Sequence, residues 1–305
     1  MKNKDITGIL VLLISKIIRE KREIMVKVLS DSTCDLSQEL TERYGIEILP
    51  LHVLMGEGDY RDGVEVTPDE IFRWCDANKS TPKTAAPAIE DAVEKIGKLL
   101  EGGNEVLCFS ISETMSSSLN IMRLAIEELA AGDRAFAFDS KNLSTGIGLL
   151  VIEAACMAKE GMSAAEILER LEELRPLVRS SFVVDTLTYL HRGGRCSGVA
   201  ALAGGMLKLH PKIVVIDGKM EVAKKYRGSI AKVVKAYAQD MEEELKTARP
   251  ARVFITHSGC DAALVQEVAD YLQSLSVFGE ILETRAGGVI SSHCGPGTLG
   301  VLFIA

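Results

Sequence analysis

Paired cysteines, aromatic bulk and excess positive charge are all missing from this 305-residue sequence, and each absence removes a class of protein. The seven cysteines are scattered, odd in number and form no C-x-x-C pair. That argues against a zinc site or a disulfide framework and for a reducing, cytoplasmic setting. Net charge is −8 with a pI near 5.3, which opposes a nucleic-acid binder. Aromatic residues make up 5% against 47% hydrophobic, so the interior must be aliphatic. Several short motifs are missing too: G-x-G-x-x-G after a strand, G-x-x-x-x-G-K-[ST], G-x-S-x-G and H-E-x-x-H. With them go the simplest nucleotide-binding, esterase and metalloprotease readings. The apolar stretch Ile9–Ile18 is too short to span a bilayer. It has no small-residue cleavage site, and its basic run follows the apolar part, the reverse of a signal peptide. Residues 1–25 therefore read as an N-terminal extension outside the fold, an amphipathic surface anchor being the alternative.

What remains alternates between strand and helix. Val26–Leu29 reads as a first strand, and Asp35 with Gln38 as the capping start of a helix near Ser37–Tyr44. Ile46–Leu54 reads as a second strand, and Thr67-Pro68-Asp69-Glu70 opens a helix. Ala88–Leu100, Ser117–Ala130, Ser144–Lys159 and Ala164–Leu174 have helical spacing, with Val106–Ile111 and Arg134–Phe138 as strands between them. Strands alternating with helices predict a parallel sheet with crossovers, so residues 26–175 form an α/β domain. After Arg175-Pro176 come a strand at Ser181–Thr186, the loop "HRGGRCSG" and a small apolar stretch at Val199–Leu207. An Asp217-Gly218 hairpin, a helix at Ile230–Leu245 and a last α/β layer follow. Residues 176–305 form a second α/β domain with a mixed sheet. Within it, "SSHCGPG" lies between two stretches that read as apolar strand.

Four polar loops are candidates for a ligand. Asp31-Ser32-Thr33, Ser112–Ser118 and Asp139-Ser140 each end a strand, at the carboxyl edge where α/β sheets bind ligands. The fourth, "KTAAP" with Thr84, lies between two helices. A serine at a helix start offers a hydroxyl beside free N–H groups and suits a carboxylate or phosphate, although taken singly each serine also reads as an ordinary cap. His293 stands before Gly-Pro-Gly and reads equally as a core histidine or a functional one. Arg192 and Arg195 on "HRGGR" read as a surface turn or as guanidinium groups for an anion.

Taken in order, "DSTCDL", "KTAAP", "ISETMSSSLN", "DSKNLSTGIGLLV", "YLHRGGRCSG" and "HCGPGTLGV" resemble the landmarks of the DegV family from about Val26 to the C-terminus. The resemblance implies two α/β domains enclosing an acyl chain, and a non-catalytic carrier that presents a long-chain fatty acid to an ATP-dependent fatty acid kinase subunit. It places Thr84 at the family's "TSxP" threonine, Ser116 at the serine of "LSGTYQ", His293 at "H-x-GPG" and Arg195, with Arg192 nearby, at "RGGR". Thr84, Ser116 and His293 would then hold the carboxylate, supported by Asp31, Ser32, Thr33, Ser117, Asp139 and Ser140. Arg192 and Arg195 would face the partner or the phosphoryl group. No cofactor, metal, nucleic acid or stable membrane insertion is implied. The chain departs from the pattern at Ala85, Ser117 and Leu119-Asn120, positions that bear on chain selectivity. Two other readings stand beside this one. One is an acyl hydrolase with Ser116 as nucleophile and His293 as base. The other is a lipid or small-ligand sensor with no kinase partner.

Overall fold

The computed structural model describes residues 25–196 and 209–305. The expectations for residues 1–24 and for Val199–Leu207 lie outside the described residues. The first strand, β1 (Val26–Asp31), becomes fully buried toward its carboxyl end, as a strand covered on both faces must be. Helix α1 (Gln38–Tyr44) follows. Its cap is Ser37, whose hydroxyl accepts from Leu40 N–H at 3.3 Å, and not Asp35. The Asp35 carboxylate is used elsewhere: it accepts from Ser144 Oγ (2.5 Å) and from Gly287 N–H (2.8 Å).

The expected strand Ile46–Leu54 is two strands that part at Pro50, which has no N–H for a ladder. The first, β2 (Ile46–Leu49), pairs parallel with β1. The second, β3 (His52–Met55), joins a separate antiparallel sheet with β4 (Gly58–Arg61) on one side and β5 (Lys83–Ala85) on the other. "KTAAP" is thus in part a strand and not a helix–helix loop. Between β4 and β5 runs α2 (Pro68–Asn78), opened by a reciprocal capping box of Thr67 and Glu70.

The parallel sheet continues through α3 (Ile89–Leu99), β6 (Glu105–Ser110), α4 (Ser118–Glu128) and β7 (Ala135–Asp139), in the order β2-β1-β6-β7. Next comes α5 (Thr145–Lys159), buried on nearly every face, which places it between layers and not on a surface. One apolar cluster joins its Ile147 and Leu150 to Phe109 and Phe138 of the parallel sheet and to Phe182 and Leu302 of the second sheet. One shared apolar cluster therefore runs through both halves, beside further clusters confined to each.

After α6 (Ala164–Leu174), the second sheet takes the order β10-β9-β8-β13-β11-β12. Its strands are β8 (Val178–Val183), β9 (Leu209–Ile216), β10 (Lys219–Arg227), β11 (Arg252–His257), β12 (Glu280–Arg285) and β13 (Leu299–Ile304). Of its pairings only β11–β12 is parallel, so the sheet is mixed, as expected. Part of "HRGGR" is the end of a short helix, α7 (Thr188–Gly193). The helix expected over Ile230–Leu245 is interrupted and forms α8 (Ile230–Gln239) and α9 (Glu242–Lys246), and Asp240 between them accepts from Tyr226 Oη at 2.7 Å. Helix α10 (Ala262–Ser274) covers β11 and β12. Among the described residues no helix is long and apolar enough to cross a membrane.

The stretch before "CGPG" is a helix, α11 (Gly288–Cys294), and not a strand. Two distant carboxylates fix its start: Asp35 takes the Gly287 N–H, and Asp62 takes the Gly288 N–H at 2.7 Å. Its Val289 packs with Leu51, Val53, Ile71 and Tyr189 in a cluster built on the three-stranded sheet. The β9–β10 turn docks on the first half: Thr114 Oγ1 donates to Gly218 O at 2.5 Å.

Candidate functional site

Thr84 on β5 and His293 on α11 are 209 residues apart, yet Thr84 Oγ1 and His293 Nε2 are 2.8 Å apart. Two constraints bring them together. Antiparallel pairing sets Thr84 opposite Val53, and the carboxylates of Asp35 and Asp62 hold the start of α11. Burial, with a smaller contribution from the Arg195 guanidinium, lowers the imidazole to about 4, so the ring is neutral at pH 7. Its Nδ1 is buried and has no hydrogen-bond partner among the described residues. That nitrogen faces Gly193: a Cβ added there would lie 2.4 Å from it, so only glycine leaves the ring its room.

The pair lines a cavity of about 240 Å³. Thr84, Ser116, Ser117, Arg195 and His293 are its polar lining, and Ile111, Met115, Leu143, Met220, Val289 and Ile290 form most of the apolar wall. Leu143, Ile290 and Cys294 also wall a second space of about 20 Å³ that continues toward Phe182, Ala286 and Leu302. Polar and aliphatic groups thus line one cavity beside α11, and its aliphatic side continues to the mixed sheet. Ser116 Oγ lies 2.9 Å from Ser118 Oγ and accepts from Ser118 N–H at 3.2 Å. Among the described residues no hydrogen bond joins Ser116 to His293, the contact that a serine nucleophile and its base would need. Arg195 is exposed and donates to the carbonyl of Gly193, the residue that faces the histidine, at 2.6 Å.

The remaining residues singled out from the sequence do not line this cavity. Asp31 accepts from Thr33 N–H (3.1 Å), Thr33 Oγ1 (2.5 Å) and Ile111 N–H (3.0 Å), tying the end of β1 to the cavity wall. Burial raises its carboxyl to about 6, against the opposing effect of those three donors. Ser32 Oγ donates to Asp62 at 2.9 Å and accepts from Leu51 N–H at 3.1 Å. Asp139 accepts from Lys141 N–H at 2.9 Å, and Ser140 Oγ donates to Ser110 O at 2.7 Å. These groups hold loops in place one layer behind the cavity. Arg192 is exposed on α7 and does not line the cavity either. Sequence reasoning missed Asp62, which reads only as part of an Asp-Gly turn. It also gave Asp35 to the wrong helix.

Fold and site together define a three-sheet α/β protein whose aliphatic cavity is lined by a hydroxyl–imidazole pair. The chain belongs to the DegV family, whose model, described as "Uncharacterised protein, DegV family", matches residues 25–305. It is 30% identical over 279 residues to a DegV domain-containing protein of Clostridium perfringens, covering 92% of this chain and 98% of that one. Among solved structures it resembles a DegV family protein of Thermus thermophilus described by its fatty-acid binding. There the TM-score is 0.84 and the identity 31%, over 92% of this chain and all of that one (100%). A stearic-acid-binding protein of Eubacterium ventriosum is similar at a TM-score of 0.80 and 30% identity, over 92% and 98% of the two chains.

Proposed function

We propose that this protein binds a long-chain fatty acid, with its carboxylate at Thr84, Ser116 and His293 and its chain in the aliphatic cavity. The observation that carries the reading is the Thr84–His293 pair, 2.8 Å apart, in the polar lining of that cavity. A carboxylate brought out of water needs donors or opposite charge. The Thr84 and Ser116 hydroxyls supply donors and the Arg195 guanidinium supplies charge. A neutral imidazole adds a hydrogen bond with no further charge to desolvate. Each buried methylene contributes about 0.8 kcal/mol, so a sixteen-carbon acid gains on the order of 10 kcal/mol before ordering costs. At about 240 Å³ the cavity lies just below the roughly 300–1,000 Å³ of ligand sites. Full seating of the chain therefore requires Met115 and Met220 to repack, for which their unbranched side chains are suited. Stearic-acid and other fatty-acid binding by similar proteins supports this reading.

In the same reading the protein is a presenting subunit and not itself the kinase. A partner brings ATP and metal; a carboxylate oxygen of the bound acid attacks the γ-phosphorus, and ADP leaves. Exposed Arg195, beside the head group, faces that partner. Native mass spectrometry of protein from a bacterial host, followed by lipid extraction, tests the first half: a stoichiometric fatty acid is expected. Protein that stays ligand-free after incubation with C14–C18 acids would overturn it. The second half is tested with Arg195→Ala, which should keep its lipid and lose phosphorylation by the partner. Wild-type turnover in that variant refutes the role.

A further inference from the structure

The head-group cavity and the smaller space of about 20 Å³ that adjoins it share three lining residues, Leu143, Ile290 and Cys294. Ile290 and Cys294 stand one turn apart on α11 and so share a face of that helix. Leu143 comes from a different element, the loop between β7 and α5. All three are shielded from water, at 7%, 4% and 3% exposed. Further in, Phe182, Ala286 and Leu302 wall the smaller space.

The polar side chains around the smaller space all have partners within the protein. Ser144 Oγ donates to Asp35 at 2.5 Å, and Thr256 Oγ1 lies 2.6 Å from Thr145 Oγ1 and 3.0 Å from Thr284 Oγ1. Ser258 Oγ donates to Gly295 O and accepts from Thr298 N–H at 3.2 Å, while Thr298 Oγ1 donates to Cys294 O at 2.9 Å. His257 Nδ1 accepts from the N–H groups of Gly259 and Cys260, each at 3.2 Å, so its proton is on Nε2, which donates to Glu283 at 3.1 Å. With these groups satisfied, the space favours hydrocarbon over water or a polar ligand.

A second observation concerns the backbone that carries Leu143. It is pinned on both sides: Ser112 N–H donates to Asn142 O at 2.9 Å, and Gly146 N–H donates to Leu143 O at 3.1 Å. The next residue, Ser144, has φ 54° and ψ −145°, a conformation that residues with a side chain rarely adopt. Its bond to the buried Asp35 holds it there. Strain of this kind persists only where the surroundings over-determine it. Here it sets the point at which the Leu143 side chain enters the border between the two spaces.

We infer that Leu143 sets chain length: the acyl chain passes between Leu143 and the Ile290–Cys294 face of α11, and its methyl end lies against Phe182 and Leu302. This placement rests on the fatty-acid reading above. The head-group cavity, at about 240 Å³, is small for a ligand site, and rotation of the Leu143 side chain opens the adjoining space while the pinned backbone stays. The first test uses the wild-type full chain loaded with palmitic acid that carries a terminal diazirine. After irradiation, peptide mass spectrometry should find the label on Phe182, Ala286 or Leu302. Label confined to other residues, such as Met115 or Met220, overturns the placement. The second test is competition binding with straight-chain acids from C10 to C18. Each buried methylene adds about fourfold in affinity. Leu143→Phe, which fills the border, should end that gain at a shorter chain, weakening C18 by roughly tenfold or more and C10 little. Leu143→Met, of similar volume and unbranched, should keep the wild-type series. Equal weakening of every chain length by Leu143→Phe, or none, overturns the role of Leu143. If wild type takes up no palmitic acid at all, the fatty-acid reading fails, and this placement fails with it.

Discussion

Asp31 gives the most demanding test of this physical reading, because its buried carboxyl should make the protein more stable in mild acid than at neutral pH. Burial raises the carboxyl from 3.8 to about 6, and nearby Asp62 adds a smaller contribution in the same direction. Between those two values the folded chain holds a proton that the unfolded chain has lost. Stability from this group is therefore fully present below about pH 4 and falls as pH rises to about 6, above which the loss is complete. The gap between 3.8 and about 6 corresponds to on the order of 3 kcal/mol. Buried Asp35 and Asp62 are raised in the same direction by burial, whereas exposed capping carboxylates act oppositely. Glu70 and Glu166 are held low by hydrogen bonds from Thr67 and Ser163, and their contribution is lost as pH falls. The readout is therefore the difference between wild type and Asp31→Asn, measured by urea unfolding from pH 4.5 to 7.5. Asn keeps one acceptor for Thr33 and sets an amide against Ile111 N–H, so it carries a constant penalty, but it cannot titrate. The stability of wild type relative to the variant should fall by about 2 kcal/mol across the range, most of it before pH 6.5. A flat difference would refute the argument that desolvation outweighs the three donors.

Other consequences follow from the same contacts. Thr84→Val removes the hydroxyl that meets His293 and should weaken fatty-acid binding about tenfold to a hundredfold, read by competition with a fluorescent acid; unchanged affinity would remove Thr84 from the head-group site. Gly193→Ala places a methyl 2.4 Å from His293 Nδ1 and should displace the imidazole, lowering affinity at least as much as Thr84→Val does. Asp62→Ala leaves the Gly288 N–H and the Ser32 hydroxyl without their acceptor and should cost about 2–4 kcal/mol in unfolding, whereas Asp62→Asn, which can still accept from Gly288, should cost under about 1 kcal/mol. Equal losses in the two Asp62 variants would mean that the carboxylate's charge, and not the pin on α11, is what matters.

The parts legible in the sequence are those where local periodicity and tertiary environment agree. The capping box of α2 and the β–α alternation of the first half follow from side-chain spacing alone, and so does the Asp217-Gly218 hairpin. The parts misread are short pieces whose conformation is imposed from outside. Val289 and Ile290 carry β-branched side chains and would suit a strand. They are helical because Asp35 and Asp62, from other parts of the chain, take the first two N–H groups of the segment. β5 is three residues long, too short to show any period, and exists because β3 offers it a free edge. Pro50 was visible, but that the chain changes sheets there follows only from where β3 finds a partner.

The same distinction explains the site. Strand-end reasoning gathers polar loops at one edge of the parallel sheet, yet it cannot tell a loop that meets ligand from one that meets backbone. Asp31 and Asp139 both end strands, and both spend their oxygens on neighbouring N–H groups. Thr84 and His293 lie on different sheets' margins and share no local pattern, so only the ordered landmarks of a family pointed to both. What brings them together is a set of linked hydrogen bonds: Leu51 N–H donates to Ser32 Oγ, Ser32 Oγ donates to Asp62, and Asp62 also accepts from Gly288 N–H at the start of the helix that ends one residue past His293. The loop that looked like a ligand site is thus part of the frame that sets the imidazole's position. Changes in that frame should therefore reach fatty-acid affinity without touching any atom that lines the cavity.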